Sequence, residues 1–289
     1  MIYMGITVVC QLFRRSNSER KDKVKYMRVV SIINLKGGVG KTFTAANMAH
    51  ILSNRGKSVL LVDNDKQGNL SKLFGVYQGD LECGTAKLLR GSYKDVNSLR
   101  QVLPGYAGMD IVPANMSLLQ ATNDLTVTAD ADQVERMKPL LQAYPLHSDK
   151  PYNYIIIDNP PDLGLNVINA LAISNDVIVP TKIDSWSLEG LDIIIEQIQE
   201  MQQINHNLRF LGALITMWQN DEANKAGWEW LQEKGYALFD THIWYSKAAA
   251  ESTFFGKTIT EYKPRSWTAQ HYKKFVTEYL AMVEDKGAK

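Results

Sequence analysis

Residues 34 to 42 read Asn-Leu-Lys-Gly-Gly-Val-Gly-Lys-Thr, a glycine-rich turn carrying two lysines, Lys36 and Lys41. Between a strand and a helix, such a turn aims backbone N–H groups at a phosphate chain. In that pattern Lys41 reaches the β- and γ-phosphates of a nucleoside triphosphate, and Thr42 offers its hydroxyl to Mg²⁺. Gly37, Gly38, Val39, Gly40 and Phe43 complete the loop and its exit. Lys36 is unnecessary for holding phosphate within one subunit, but a cation five residues before Lys41 could reach a γ-phosphate on a partner. Carboxylates supply the rest. Asp158 ends the run Tyr154-Ile155-Ile156-Ile157, and a carboxylate at the C-terminal end of a parallel strand is placed to hold Mg²⁺ through water. Asp63 and Asp65 follow Leu60-Leu61-Val62 and fall on the neighbouring edge of the same crevice. For either of these two, capping the next helix is the alternative.

The elements that must position these groups are legible as patterns. Val29 to Ile33 is a β-branched run suited to a buried parallel strand. Ala45, Met48, Ala49 and Leu52 recur at helical spacing, and Gly56 stops that helix. The plain pattern G-x-x-x-x-G-K-[ST] has glycine where this chain has Leu35, so the loop is a deviant form. Met109 to Pro113 reads as a strand, and Val134, Met137, Leu140 and Leu141 as a helix face. Longer helix faces run through Leu188, Leu191, Ile194, Ile195, Ile198 and Met201, and through Tyr272, Phe275, Val276, Tyr279, Leu280 and Val283. Residues 144 to 153 form a loop delivering the chain to the Asp158 strand. Strand-then-helix alternation along 289 residues favours one large α/β domain.

From about residue 28 to about 282 the chain resembles the ParA/MinD family of deviant-Walker ATPases. The resemblance rests on the two lysines and on Asp63-Asn64-Asp65-Lys66-Gln67-Gly68-Asn69. It continues through Asp158-Asn159-Pro160-Pro161, Val177 to Thr181, Ser187 to Leu191 and Leu214 to Met217. It implies a single-domain P-loop NTPase fold of the deviant-Walker, SIMIBI type, a mostly parallel twisted sheet flanked by helices, with ATP and Mg²⁺ as ligands. It assigns Asp65 to orienting the attacking water and places Asp63 nearer the metal, beside Thr42 and Asp158. Lys36 then crosses a nucleotide-sandwich homodimer, and Met217 contacts adenine. Three positions depart from the family pattern: Lys66 replaces a proline, Asn159 a threonine or small residue, and Phe43 a second threonine.

The closing segment, from Phe239 through Ser266, resembles that of the partition branch, whose relatives bind DNA there without sequence preference. Trp244 and Tyr245 occupy positions that are often arginine. Lys247, Lys257, Lys263, Arg265, Lys273 and Lys274 are the phosphate-contact candidates, with ordinary solvated lysines as the alternative for each. The resemblance implies double-stranded DNA and a ParB-like centromere-binding adaptor as partners, plasmid, integrative-element or chromosome partition as the task, and a cytoplasmic, nucleoid-associated location.

Composition sets limits. Net charge is +1, from 32 basic and 31 acidic residues, so contact with nucleic acid needs a local patch. Cys10 and Cys83 lack a C-x-x-C spacing, and the five histidines show no metal spacing. Lone Cys83 argues against a cluster-bearing reductase of this superfamily, and 13 dispersed tyrosines argue against a tyrosine kinase of this fold. Glu278, Glu284 and Asp285 near the end argue against a membrane-surface helix, so no membrane partner is expected. A MinD-like or protein-cargo positioning ATPase, or a small-molecule enzyme of the superfamily, remains the alternative. Residues 1–26 stand outside the α/β pattern and are expected to be a flexible extension, with a DNA- or protein-touching arm as the other reading. The ATPase domain is placed at 27–289, Met27 being a candidate start, with no room for a helix-turn-helix domain before it.

Overall fold

Seven short runs rich in Val, Ile and Leu meet in one sheet. They are β1 (Arg28–Ile32), β2 (Val59–Asp63), β3 (Gln101–Val102), β4 (Met109–Val112), β5 (Tyr154–Asp158), β6 (Asp176–Lys182) and β7 (Arg209–Thr216). Their spatial order is β3-β4-β2-β5-β1-β6-β7. Every pairing is parallel except that of β3 with β4, a two-residue antiparallel edge that the sequence did not announce. The connecting helices are α1 (Lys41–Asn54), α2 (Asn69–Leu73), α3 (Gly84–Arg90), α4 (Ser117–Thr128), α5 (Leu165–Ile173) and α6 (Ser185–Gln202). After β7 follow α7 (Glu222–Glu233), α8 (Lys247–Phe254), α9 (Ile259–Tyr262) and α10 (Trp267–Glu284).

This computed structural model describes residues 27–128, 132–146, 148 and 150–284, with no side-chain description over 185–189. The extension 1–26 with Cys10, His147, the residues from Asp285 onward, and the side chains of Ser187, Leu188 and Glu189 therefore lie outside the described residues.

Helices cover both faces of the sheet, which is why its inner strands are apolar throughout instead of alternating with polar residues. Val30, Ile32, Leu61 and Ile156 pack with Ala45, Met48 and Leu52 of α1 and with Tyr272, Phe275, Val276 and Tyr279 of α10. Their neighbours in sequence, Val29, Leu60, Val62, Ile155 and Ile157, point the other way toward α3, α4 and α5. Further along that second face Val177, Val179 and Ile215 meet Leu191, Ile194, Ile198 and Met201 of α6. The apolar stripe read in α10 thus faces the core, with Leu280 partly buried at its margin.

One helix expectation is corrected. Val134, Met137 and Leu140 are buried, but they sit on turns and a 3₁₀ helix over Lys138–Gln142, with no α-helix there. Pro139 lacks the N–H that an α-helical turn would use and restricts the residue before it, so the segment stays short.

Candidate nucleotide site and its metal ligands

The phosphate loop leaves the C-terminal end of β1, which lies between β5 and β6 at the middle of the sheet. Ligands in open α/β sheets bind at this end of the strands. Side chains hold the loop from below. Asn34 donates to the Pro180 carbonyl (2.8 Å) and accepts from the Lys36 N–H (2.8 Å), and the Thr216 hydroxyl donates to the Val39 carbonyl (2.9 Å). Gly38 and Gly40 take φ values of 73° and 87°, conformations that side-chain-bearing residues rarely adopt. A Cβ built on Gly37 or Gly38 would meet nothing within 4 Å, so both face open space where a phosphate chain fits. Gly40 gives α1 no side-chain cap, leaving that helix start to an anion.

Around the loop lies a crevice of about 700 Å³ lined by Gly37, Gly38, Gly40, Lys41, Thr42 and Phe43. Its facing wall is Asp65, Lys66, Gln67, Pro161 and Asp162, with Met217 at one end. Lys41 is buried, and its ammonium donates to the carbonyls of Asn34 (3.0 Å) and Lys36 (2.9 Å). Burial pulls its pKa below the usual lysine value, while Asp158, Asp65 and Asp162 oppose that pull.

Asp63 and Asp158 are paired residues at the ends of adjacent strands β2 and β5. Their surroundings differ. Asp63 accepts from the Ser71 N–H (2.8 Å), the Ser71 hydroxyl (2.7 Å) and the Asp65 N–H (3.2 Å), so both of its oxygens are engaged. Through these bonds it ties β2 to the first turn of α2, in the manner of its capping alternative. Asp158 is equally buried, yet neither carboxylate oxygen has a hydrogen-bond partner. Burial first, and then the charge of Asp63, raise its pKa well above the carboxylate range, and nearby Thr42 and Lys41 work against that shift. An orphaned buried carboxylate beside a threonine hydroxyl and a lysine fits a divalent cation, which satisfies the oxygens and favours the charged form.

Asp65 sits on the loop joining β2 to α2, and its carboxylate accepts from the Gln67 N–H (2.9 Å). Gly68 shapes that loop. Its φ is 62°, and a Cβ there would stand 2.7 Å from the Ala114 carbonyl oxygen.

Lys36 lies outside the crevice lining and pairs with both oxygens of Asp184, in the turn after β6. Met217 follows β7 with φ 54°, the one positive φ at a non-glycine among the described residues. It borders both the crevice and an adjoining cavity of about 240 Å³ walled by Phe43, Trp244, Tyr245 and Tyr272. Phe43 meets Tyr272 edge to face at 5.6 Å.

A family model described as "AAA domain" matches residues 27–210. The sporulation initiation inhibitor protein Soj of Bacillus subtilis is 33% identical over 259 residues, covering 88% of this chain and 98% of that protein. The chromosome-partitioning ATPase Soj of Thermus thermophilus is 33% identical over 262 residues, covering 90% and 98%. This chain belongs to the ParA/Soj family of partition ATPases. Among solved structures, cobyrinic acid a,c-diamide synthase from Mycobacterium smegmatis, with bound ATP analog and magnesium, superposes with TM-score 0.74 at 27% identity over 90% of this chain and 97% of that one.

The departures from the ParA/Soj pattern find structural partners that no local motif signals. Asn159 accepts from Asn64 (2.8 Å), which also donates to the Asn166 carbonyl, and Asn166 donates back to the Asn64 carbonyl (3.0 Å). These amides tie the ends of β2 and β5 to α5. Lys66 pairs with Asp162 at 3.7 Å. Asp184, Asp162 and Ser71 were all missed by sequence reasoning, since each acts on a residue from a different strand end.

The closing segment is mixed in charge. Lys257 pairs with Glu261 (3.2 Å) and Lys263 with Glu251 (2.9 Å), and Lys273 donates to the Pro264 carbonyl (3.2 Å). Lys247, Arg265 and Lys274 are exposed, near exposed Trp244, Tyr245 and Trp267. Among the described residues, no helix is long and apolar enough to cross a membrane.

Proposed function

We propose that this ParA/Soj-family ATPase binds ATP with Mg²⁺, closes into a homodimer, and in that state binds double-stranded DNA without sequence preference. A ParB-like adaptor then stimulates hydrolysis and resets the switch, moving a plasmid, integrative element or chromosome. The carrying observation is the division of labour between two lysines: Lys41 lies within the phosphate crevice, whereas Lys36 lies outside it and is held by Asp184. A cation so placed serves the nucleotide of another subunit better than its own.

In hydrolysis a water oxygen attacks the γ-phosphorus, the bond to the β-phosphate oxygen breaks, and the water's protons leave with phosphate. Asp65 orients that water, and Lys41 with the loop N–H groups holds the departing and transferring oxygens. Thr42 and Asp158 would hold Mg²⁺, which would supply charge neutralisation to the phosphates. Asp63 stays one step back, fixing the loop that carries Asp65. Lys36 from the partner completes neutralisation as an arginine finger would. The cavity of Phe43, Met217, Trp244 and Tyr245 receives the base by stacking. Lys247, Arg265 and Lys274 contact DNA phosphates, joined by Lys257, Lys263 and Lys273 once these leave their present partners.

The test is binding of random-sequence duplex by wild type and Asp65→Ala with ATP, with ADP and without nucleotide, across a salt series. Salt-sensitive binding only with ATP, strengthened in the variant, is expected. ATP-driven dimers that bind no duplex would assign the cargo to a protein instead.

A further inference from the structure

The crevice contains a cation that neither phosphate-loop lysine accounts for. β2 and β5 are neighbours with Asp63 opposite Asp158, so the loops leaving them lie side by side at the mouth of the crevice. Lys66 on one loop and Asp162 on the other meet there, at 3.7 Å. Both line the wall opposite Gly37, Gly38 and Lys41. The backbone under Lys66 is pinned by the Asp65 carboxylate on the Gln67 N–H and by the turn at Gly68, so only its side chain is free to swing. Its ammonium makes one long, half-exposed ion pair, with side-chain exposures of 37% and 47% for Lys66 and Asp162. Pairs of that kind are weak and easily exchanged for a stronger anion. Lys41, by contrast, is committed by two backbone carbonyls at the base of the loop.

We infer that Lys66 is a catalytic cation supplied by the same subunit that binds the nucleotide. When ATP fills the crevice, the ammonium leaves Asp162 for the γ-phosphoryl oxygens, and Asp162 is its resting partner. This rests on the ATP-hydrolysing reading of the site. Lys66 remains protonated throughout: water adds to the γ-phosphorus, the bond to the β-phosphate oxygen breaks, and the lysine neutralises charge on the transferring group without gaining or losing a proton. Phosphoryl transfer depends chiefly on such neutralisation. A consequence is that basal hydrolysis leans less on a stimulating partner than it would with an apolar residue at this position.

The experiment compares wild type, Lys66→Met, Lys66→Arg and Asp162→Asn in steady-state ATP hydrolysis with Mg²⁺, alongside direct binding of ATP and of ADP with aluminium fluoride. Lys66→Met should lower kcat by about tenfold or more while ATP affinity stays within roughly threefold. Its affinity for ADP with aluminium fluoride should fall in parallel with kcat. Lys66→Arg should retain most of the rate, and Asp162→Asn, which removes the resting partner, should raise it. Wild-type kcat in Lys66→Met, or equal losses of ATP and aluminium fluoride binding, overturns the assignment while leaving the ATPase reading intact. A wild type that binds ATP but never hydrolyses it overturns both.

Discussion

The ammonium of Lys36 is held by both oxygens of Asp184, a residue 148 positions further along the same chain. The pair links the phosphate loop to the turn between β6 and α6, and it turns Lys36 away from the crevice. Both side chains are about one-third exposed, so the contact contributes at most about 1 kcal/mol. Asp184→Asn should therefore increase the ATP-induced dimer fraction, by up to about fivefold in association constant. Lys36→Ala should lose both dimerisation and hydrolysis. Sedimentation with ATP reads dimerisation and phosphate release reads hydrolysis, and an Ala variant that dimerises and hydrolyses normally would refute the cross-subunit role.

Lys41 is buried at the base of the loop, its ammonium held by the carbonyls of Asn34 and Lys36. Lys41→Ala should abolish productive nucleotide binding, a loss of at least about a hundredfold in affinity, since a buried charge-assisted contact to phosphate disappears. Titration calorimetry with ATP and Mg²⁺ decides this. Unchanged affinity would mean the crevice is not the nucleotide site.

Asp65 lines the crevice, its carboxylate accepting from the Gln67 N–H of its own loop. Asp65→Ala should keep ATP binding, lower kcat by about a hundredfold or more and accumulate the dimer. A variant that instead fails to bind ATP would place Asp65 in binding and not in water positioning.

The two strand-end acids predict a pH effect. Burial pushes the Asp63 carboxyl from its ordinary 3.8 up to about 6, against the hydrogen bonds from Ser71 and Asp65 that favour its charged form. Between those values the folded state binds more protons than the unfolded state, so stability falls as pH rises. The contribution is fully present below about pH 4 and lost as pH passes through about 6, and it amounts to ~3 kcal/mol. The difference in unfolding free energy between wild type and Asp63→Asn, from urea titrations without nucleotide, should shrink by about that much between pH 4 and pH 7. A pH-independent difference would show that Asp63 titrates normally.

Asn159→Thr restores the residue type common in relatives but removes an amide from a buried network. It leaves the Asn64 amide short of its 2.8 Å partner and should cost about 1 to 3 kcal/mol. Equal chemical stability of the variant would mean that water or a rearranged Asn166 satisfies Asn64.

Where a candidate group and the element that carries it are contiguous in the chain, the sequence by itself was sufficient to place it. Lys41 and Thr42 follow their glycines directly, Asp158 ends its own apolar strand, and the stripe from Tyr272 to Val283 is spaced for one helix face. Local spacing sets such groups because a turn, a strand end and a helix each impose a fixed geometry on neighbours in the chain. The family could be recognised from the same motifs. Val134 to Leu141 misled, since its apolar spacing suited a helix while Pro139 did not. Tertiary structure alone decided the partners: Asp184 for Lys36, Asp162 for Lys66, Ser71 and the Asp65 N–H for Asp63, and no hydrogen-bond partner for Asp158. Those contacts arise because parallel strands distant in sequence end side by side. Two aspartates alike in the chain, each closing an apolar strand, are thus divided by their surroundings into one whose oxygens are both hydrogen-bonded and one whose buried oxygens are left without hydrogen-bond partners.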